Sequence, residues 1–387
     1  MNVEEAKELV CESGKRLKTS GLVAGTWGNI SQRVDENTMV ITPSGMDYET
    51  ASPDDMSVVD LNEMTYEGPK PSTEKKIHAQ IYLSRHEVNA ILHTHSMNAS
   101  TVAAAHREVP PMFDEMAEKI GKSVRIAEYG IPGTSKLADG TLEGIKGRNG
   151  VILANHGALC VGADMDDAFS NAKILEDACE KFIKSEAGVE LETAPLGSTK
   201  IISFSKRLDD DSMEISAADK EYDNVEADNL SVVNIENLSH SGPEPAKDMK
   251  LHAAIYGNRK KINAMLHVRS PNISAAVAKN EELPPILDDM AQIVGPTIRI
   301  AEYPDMDDKK MIKKAVKSLK RRNGVLLTGG DAICIGRDME EAFTTLTVLE
   351  KSCKAFAEAQ YLGGTEKIGK IEAWIMHLYY MKKYGKK

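Results

Sequence analysis

Three histidines and one glutamate in the first half of the chain have the residue types and spacing of a metal site. His93 and His95 stand two residues apart at the end of an apolar run, and side chains two apart on a β-strand point to the same face. His156 lies in a short Asn-His-Gly turn, and Glu74 begins a predicted helix. Three protein nitrogens with a fourth position open are what a catalytic zinc ion needs. We therefore predict a zinc site at the three histidines, with Glu74 as a candidate carboxylate.

Three further segments have the composition of an anion-binding site. They are a glycine-rich stretch with Gly28 and Asn29, a turn with Ser44 and Gly45, and a helix start with Ser72 and Thr73. Backbone N–H groups in glycine turns and at helix starts bind phosphate without fixed cationic side chains. Each segment alone is a weak signal, because most turns rich in Gly, Ser and Pro are only turns.

The chain contains one domain twice. A shift of 174 residues overlays it on itself without a gap, so that the RIAEY run at 125–129 falls on the same letters at 299–303. A repeat this long indicates a duplicated domain, because solenoid units repeat about every 20–50 residues. The sequence predicts a first domain at 1–192, a second at 196–365 and a helical C-terminal tail at 366–387.

The duplication provides an internal control on the candidate site. Residues kept in both copies are expected to serve the fold, whereas residues found in one copy are candidates for chemistry. His93 aligns with a histidine, but the other three candidate ligands do not persist: the aligned positions are His267 for His93, Arg269 for His95, Gly330 for His156 and Asp248 for Glu74. The anion-binding segments change as well. We therefore predict a catalytic first copy and a degenerate, non-catalytic second copy.

The same control separates the remaining histidines. His78 aligns with His252, so it is interpreted as a core residue or as one that supports the ligands from behind. The histidines without a counterpart and outside the motifs are interpreted as surface residues: His86, His106, His240 and His377.

The hydrophobic pattern predicts a layered α/β domain, because strands alternate with helices. Helices are predicted at 3–18, 73–85, 96–105 and 165–186, and strands at 29–34, 38–42, 88–94, 150–154 and 158–161. Ser72 or Thr73 is expected to cap the helix at 73–85.

Composition limits the classes of partner. The 387 residues carry a net charge of −11, which argues against a general nucleic-acid surface. No run of about 18 apolar residues predicts a membrane span, and the N-terminus lacks the pattern of a signal peptide. Five cysteines without CxxC spacing are expected to be buried thiols in a reducing cytoplasm.

The motifs GTWGNIS, ITPSG, PSTE, HTHS and NHG, in this order, resemble those of the class II aldolase/adducin family over residues 1–190. Within it they are most similar to the L-fuculose-phosphate aldolases. The resemblance implies a three-layer α/β/α domain around a largely antiparallel sheet. It implies one zinc ion per chain, bound by the three histidines and, in the resting state, by Glu74, which is also the proton donor and acceptor. The residues that it places around the substrate phosphate are Gly28, Asn29, Ser44, Gly45, Ser72 and Thr73.

The resemblance further implies a lyase that cleaves or forms a ketose 1-phosphate. The products would be dihydroxyacetone phosphate and a short aldehyde, and the reaction would pass through a zinc-stabilised enediolate. Glu74 would serve if its surroundings raise its pKa towards neutrality. The sequence departs from the family pattern at one position that contacts the aldehyde half of the substrate. Asp114 stands near the place where the fuculose enzymes have a tyrosine. Another family tyrosine comes from the tail, where Tyr379, Tyr380 and Tyr384 are available.

Three alternatives share this scaffold. A ribulose-phosphate 4-epimerase uses the same retro-aldol step, but usually has aspartate at the position of Glu74. A methylthioribulose-phosphate dehydratase has similar ligands and is poorly separated by sequence. A non-enzymatic interaction module, as in adducin, lacks the ligands, and the second copy fits that description.

The family resemblance also implies assembly. Related enzymes form homo-oligomers, so a fused pair of domains is expected to form a dimer that mimics a tetramer. The second copy would then complete or brace the active site of the first. The expected substrate is a small phosphorylated sugar, with no nucleic-acid or membrane partner.

Overall fold

The computed structural model describes residues 1–23, 28–218, 220–225, 230–303 and 307–384, with side chains up to residue 382. Three residues of the predicted glycine-rich segment, 25–27, lie outside the described residues, as does the side chain of Tyr384. The chain divides into two compact units. Unit 1 comprises 1–190 and 358–366, and unit 2 comprises 191–357 and 367–387.

Within its described residues, unit 1 has an eight-stranded sheet in the order β4-β3-β2-β1-β5-β8-β7-β6. The paired strands are antiparallel except for β6 and β7. The strands are β1 Gly28–Arg33, β2 Thr38–Ile41, β3 Ser57–Asp60, β4 Tyr66–Glu67, β5 Ala90–Thr94, β6 Ile126–Ala127, β7 Gly150–Leu153 and β8 Gly157–Gly162. The helices are α1 Val3–Thr19, α2 Lys75–Ser84, α3 Met97–Ala105, α4 Asp114–Lys119, α5 Ser135–Gly144 and α6 Met165–Ala187.

Side chains alternate between the two faces of the sheet along each strand, and each face packs against its own layer of helices. In β2, Met39 and Ile41 pack into a core with α2 and α5, whereas Val40 packs against α1 on the opposite face. Helices α3 and α6 contact β5, β7 and β8 on the α1 side. The predicted three-layer α/β/α arrangement with a largely antiparallel sheet is therefore confirmed for unit 1.

Unit 2 repeats this architecture, with an eight-stranded sheet among its described residues in the order β12-β11-β10-β9-β13-β16-β15-β14. Its strands are β9 Lys200–Arg207, β10 Ser212–Ser216, β11 Leu230–Asn234, β12 His240–Ser241, β13 Ala264–Arg269, β14 Ile300–Ala301, β15 Gly324–Leu327 and β16 Asp331–Gly336. Its helices are α7 Met249–Asn258, α8 Pro271–Ala278, α9 Lys309–Ser318, α10 Met339–Ala359, which ends in unit 1, and α11 Lys370–Tyr384. Searched over the described residues, the structure contains no helix long and apolar enough to cross a membrane.

Two details differ from the sequence-based expectations. The N-cap of α2 is Glu74, and the Ser72 hydroxyl accepts a hydrogen bond from the Glu74 N–H at 3.2 Å instead of capping the helix. Residues 358–365, predicted as the end of the second domain, belong to unit 1 together with residue 366, and the rest of the predicted tail at 366–387 falls in unit 2. The domain boundaries at 192, 196 and 365 otherwise stay predictions.

A buried polar network recurs in both units and supports the interpretation of His78 as a residue of the scaffold. The Ser31 hydroxyl contacts His78 Nδ1 at 2.7 Å and the Tyr82 hydroxyl at 2.8 Å. In unit 2, Ser205 makes the aligned contacts to its own histidine and tyrosine at 2.7 and 2.9 Å. Because the network persists where the metal ligands do not, it belongs to the fold.

Both units require glycine where the last long strand turns into its following helix. A Cβ atom on Gly162 would lie 2.3 Å from the Ala168 backbone nitrogen, and one on Gly336 would lie 2.3 Å from the Ala342 nitrogen. Backbone atoms leave no room for a methyl group at either position. This close approach fixes the angle at which α6 and α10 leave the sheet.

We expect Gly162→Ala to lower the free energy of unfolding by about 1–3 kcal/mol, as overpacking does in well-packed cores. Gly257→Ala is a suitable control, because a Cβ atom there meets no heavy atom within 4 Å and alanine favours a helix by about 1 kcal/mol. Urea unfolding followed by circular dichroism measures both. Equal stability of Gly162→Ala and the wild type would contradict the close-packing argument.

Candidate metal centre

Three imidazoles of unit 1 point to a common centre. The Nε2 atom of His93 lies 3.0 Å from that of His95 and 3.1 Å from that of His156. All three rings are buried, and among the described residues this is the one such cluster of potential ligands. Tetrahedral zinc with bonds of about 2.1 Å holds neighbouring nitrogens roughly 3.4 Å apart. The observed separations are close to that value, so the triad could hold a metal ion.

The sheet order brings these histidines together. His93 is in β5, where it pairs with Asn29 of β1 on one side and with Leu159 of β8 on the other. His95 follows the end of β5, and His156 occupies the turn between β7 and β8. Because β8 lies directly beside β5, a turn 63 residues along the chain reaches the same edge of the sheet.

The surroundings of His93 select the form of the ring that binds a metal. Its Nδ1–H donates to the Ala158 carbonyl at 3.0 Å, which leaves the lone pair on Nε2 facing the centre. Burial lowers the pKa of His93 well below its usual value, and the neighbouring His95 and His156 lower it further, against the opposing effect of Glu74. His93 is therefore a neutral imidazole at physiological pH.

Glu74 closes the fourth side of this cluster. Its Oε2 lies 3.4 Å from His93 Nε2, its Oε1 lies 3.2 Å from His156 Nε2, and the Asn29 amide donates to Oε2 at 2.7 Å. Burial alone raises the pKa of Glu74, but the three imidazoles and the Asn29 hydrogen bond outweigh it and lower the pKa to about 2. The condition set for Glu74, a pKa raised towards neutrality, is therefore not met in this structure, because the imidazole rings and the Asn29 amide favour the ionised carboxylate.

The chemistry of these donors fits a divalent metal ion. Neutral imidazole nitrogens and an ionised carboxylate are electron-pair donors, and four such groups face each other with almost no exposure to water. Lone pairs held this closely repel one another unless a proton or a cation lies between them. A divalent cation satisfies all four at once, which shared protons cannot do.

The predicted anion-binding segments are brought together beside the metal centre. The Ile30 N–H donates to the Thr42 hydroxyl at 3.2 Å, and the Ser72 N–H donates to the Thr42 carbonyl at 3.1 Å. The second segment is joined to the third again, because the Ser44 N–H donates to the Lys70 carbonyl at 3.0 Å. Three segments that are far apart in sequence therefore form one surface.

The six candidate phosphate residues differ in accessibility. Gly45 and Thr73 are exposed, Gly28 and Ser44 are half-buried, and Asn29 and Ser72 are buried. The two buried residues contact Glu74, since Asn29 donates to its carboxylate and the Ser72 hydroxyl accepts from its N–H. The predicted anion-binding surface and the candidate metal centre are thus joined at Glu74, a link that spacing alone did not reveal.

Tyr48 is a supporting residue that sequence analysis missed. Its hydroxyl donates to the Gly28 carbonyl at 2.7 Å, at the start of β1. Burial raises the pKa of Tyr48 to about 12, against the lowering effect of its hydrogen bond to Thr42, so it stays a protonated donor. Tyr48 aligns with Tyr222 in the second copy, so a comparison of the two copies does not distinguish it from a residue of the scaffold.

Both halves of the chain match the same family of known proteins. A profile of the Class II Aldolase and Adducin N-terminal domain matches residues 8–183 and again residues 199–357. The chain belongs to the class II aldolase/adducin family. It is a tandem duplication of the family domain, and lyase chemistry is supported by this membership.

Several curated members of the class II aldolase/adducin family are similar to the first half. A 5-deoxy-D-ribulose 1-phosphate aldolase of Bacillus thuringiensis is 35% identical over 197 residues, which cover 50% of this chain and 92% of that protein. A 5-methylthioribulose-1-phosphate/5-deoxyribulose-1-phosphate aldolase of Rhodospirillum rubrum is 31% identical, over 48% and 83%. An L-fuculose phosphate aldolase of Haemophilus influenzae is 29% identical, over 48% and 85%. Among solved structures, an L-fuculose 1-phosphate aldolase matches with 31% identity and a TM-score of 0.46, over 48% of this chain and 88% of that chain.

The second class II aldolase domain fills the equivalent centre with its own charges. Asp248, aligned with Glu74, accepts hydrogen bonds from Ser203 at 2.6 Å and from His267 Nδ1 at 2.7 Å. Arg269, aligned with His95, forms a two-point ion pair with Asp331 at 2.5 and 3.1 Å. Asp331 itself replaces Gly157, where a Cβ atom would lie 2.2 Å from the Thr94 carbonyl.

These substitutions change the charge state of the conserved histidine. Burial lowers the pKa of His267, but its contacts with Asp248 and Asp331 outweigh burial and raise the pKa to about 9. His267 is therefore a cation where His93 is neutral. An imidazolium and a guanidinium supply the positive charge between the carboxylates of this domain, and its equivalent centre offers no set of free imidazole lone pairs.

We expect His93→Gln to abolish stoichiometric zinc binding, because it removes the central ligand. His267→Gln, at the aligned position, is expected to retain about one zinc ion per chain while lowering stability, because it removes a buried positive charge that pairs with Asp248 and Asp331. Metal analysis after reloading and gel filtration measures the content, and circular dichroism confirms folding. Loss of zinc in both variants, or in neither, would be inconsistent with a site confined to the first domain.

Proposed function

We propose that unit 1 is a zinc-dependent aldolase that cleaves or forms a ketose 1-phosphate, with dihydroxyacetone phosphate and a short aldehyde as the other reactants. The observation that carries this proposal is the convergence of three imidazole Nε2 atoms with the Glu74 carboxylate. His93, His95 and His156 would hold the zinc ion, with Glu74 as a further ligand in the resting state. When bound, zinc supplies Lewis-acid stabilisation of the negative charge that develops beside the substrate carbonyl.

Glu74 is assigned the proton transfer. Cleavage breaks the carbon–carbon bond beside the carbonyl, leaves its electron pair on the ketose fragment, and converts the neighbouring hydroxyl to the aldehyde with loss of its proton. The ketose fragment then gains one proton, so the reaction balances. The low pKa of Glu74 means that this carboxylate rests ionised. It is therefore ready to remove a proton in the condensation direction, and in cleavage it must first receive one.

The anion-binding surface would hold the phosphate of the substrate. Gly45 and Thr73 offer exposed backbone, and Asn29 and Ser72 reach the same place from the side of Glu74. A phosphate bound there is anchored at a fixed position relative to the carboxylate. Fixed placement of the remote end of a substrate is an established source of rate acceleration.

The names of the relatives support this substrate class. The enzymes from Bacillus thuringiensis, Rhodospirillum rubrum and Haemophilus influenzae are named for 5-deoxyribulose 1-phosphate, 5-methylthioribulose 1-phosphate and fuculose phosphate. Another relative from Haemophilus influenzae, at 29% identity, is a 3-oxo-tetronate 4-phosphate decarboxylase. A ketose 1-phosphate with a short or deoxygenated tail is the substrate that we favour.

We also propose the cellular setting and assembly that the sequence suggests. All five cysteines are buried and unpaired, which is compatible with a reducing cytoplasm. Two chains would supply four family domains, and a homodimer that mimics a tetramer is the assembly we propose.

The function is tested by release of dihydroxyacetone phosphate from a panel of ketose 1-phosphates that includes 5-deoxyribulose 1-phosphate and L-fuculose 1-phosphate. We expect turnover of at least one, loss of turnover after chelation, and recovery with zinc. An epimerase or dehydratase would change its substrate without releasing this product, and a decarboxylase of a 3-oxo acid would release carbon dioxide in place of an aldehyde. Full activity in a metal-free preparation would reject the scheme.

Glu74→Gln is expected to keep about one zinc ion per chain and to lower kcat by about 10²–10⁴-fold, the usual contribution of a positioned acid or base. The amide keeps the size of the side chain but cannot exchange the proton. Glu67→Gln, on an exposed strand, is the control and should match the wild type. Turnover by Glu74→Gln at the wild-type rate would remove Glu74 from its proposed role.

A further inference from the structure

Residues 358–366, here called the return segment, bring the end of the second repeat into unit 1. The chain leaves unit 2 after residue 357 and rejoins it at residue 367. Two hydrogen bonds fix this segment at the C-terminal end of α3. The Arg107 guanidinium donates to the Leu362 carbonyl at 2.7 Å, and the Glu366 N–H donates to the Ala104 carbonyl at 2.8 Å.

The return segment also holds the residue that precedes a candidate metal ligand. The Asn155 side-chain amide donates to the Glu366 carbonyl at 3.0 Å, and its oxygen accepts from His106 Nε2 at 2.7 Å. The Asn155 backbone N–H donates to the Ala103 carbonyl at 3.0 Å. Asn155 is thus fixed on three sides, immediately before His156.

The conformation of Asn155 explains why such support matters. Its φ is +56°, in the left-handed region that non-glycine residues rarely adopt. This turn of the backbone aims the following side chain, His156, at His93. The external hydrogen bonds favour this conformation over the more common extended or helical ones, which would direct His156 elsewhere.

The same contacts correct one sequence-based interpretation. His106 was expected at the surface, but it donates to Asn155 and itself has a φ of +51°. His377, also expected at the surface, is buried, with Nδ1 donating to the Gln292 carbonyl at 2.8 Å. Of the two, His106 stands next to the candidate site.

Comparison of the repeats shows that the side chains at this contact occur in the first copy alone, whereas Ala104, which accepts through its backbone, aligns with Ala278. Asn155 aligns with Gly329, His106 with Asn280 and Arg107 with Glu281. Glycine has no side-chain amide to donate, and glutamate cannot donate to a carbonyl. These side chains therefore change together with the metal ligands, and not with the scaffold.

We propose that the return segment is a positioning element for the metal centre of unit 1, acting through Asn155 on His156. The proposal rests on the proposed metal-dependent function. It gives the degenerate repeat a physical task, because the segment that fixes the ligand turn is supplied from the end of that repeat. Contacts of this kind behind a metal ligand commonly change metal affinity by 10–100-fold.

The test uses full-length Asn155→Gly and Arg107→Gln. Glycine keeps the left-handed backbone accessible while removing both side-chain hydrogen bonds, and Arg107→Gln releases the Leu362 carbonyl. We expect zinc affinity, measured by competition with a chromophoric chelator, to fall about tenfold or more in each. The visible absorption of the cobalt-substituted protein should change as well, because it reports the geometry of the ligands independently of catalysis.

Two further variants separate positioning from general stability. Glu186→Gln removes the 3.6 Å ion pair of Arg107 but leaves its bond to Leu362 in place, so it should bind metal like the wild type. Asn155→Asp keeps the acceptor for His106 and loses the donor to Glu366, so it should show the lowered zinc affinity if the return segment is responsible.

Wild-type metal affinity and cobalt spectra in Asn155→Gly and Arg107→Gln, even with lowered melting temperatures, would overturn the proposal. A wild-type protein that binds no metal would instead overturn the proposed function on which it rests.

Discussion

Crowding of electron-pair donors in a buried space is the constraint on which the rest of the structure depends. In unit 1, three imidazole nitrogens and a carboxylate face each other at 3.0–3.4 Å, away from water. In unit 2 the aligned space is filled by an imidazolium, a guanidinium and two carboxylates in direct contact. Unit 2 places positive charge from its own side chains between its buried carboxylates, whereas the donor set of unit 1 fits a cation bound from outside.

The scaffold tolerates this exchange because the three candidate ligands that differ between the repeats stand where the regular elements end. His95 follows a strand, His156 occupies a turn and Glu74 is an N-cap, so none is needed for the pairing of the sheet. The shared network around Ser31 and its counterpart Ser205 lies inside the layers and is retained. The two repeats consequently share a fold although they differ at three of the four candidate ligands.

The metal centre is also joined to its surroundings by individual hydrogen bonds. Asn29 and Ser72 connect Glu74 to the predicted anion-binding surface, and Asn155 connects His156 to residues 358–366. A substitution of Asn29 or Ser72 therefore removes a contact of Glu74, and a substitution of Asn155 alters the residue directly before His156. In the second repeat these connecting residues are replaced by Ser203, Ala246 and Gly329, and three of the four candidate ligands differ as well.

The sequence by itself determined the duplication, the family, the layered α/β fold and the identity of the four groups at the candidate centre. These follow from local patterns, since strand alternation aims His93 and His95 together and since the comparison of two copies marks which residues serve the fold. The tertiary structure alone decided the low pKa of Glu74, because that depends on which charges surround a buried carboxylate. It also decided the roles of Asn29 and Tyr48 and the burial of His377. Residues 358–366 could not be assigned to unit 1 from sequence, because Leu362 and Glu366 make these hydrogen bonds through their backbone, which leaves no pattern in their own side chains, and their partners lie 200 and more residues away.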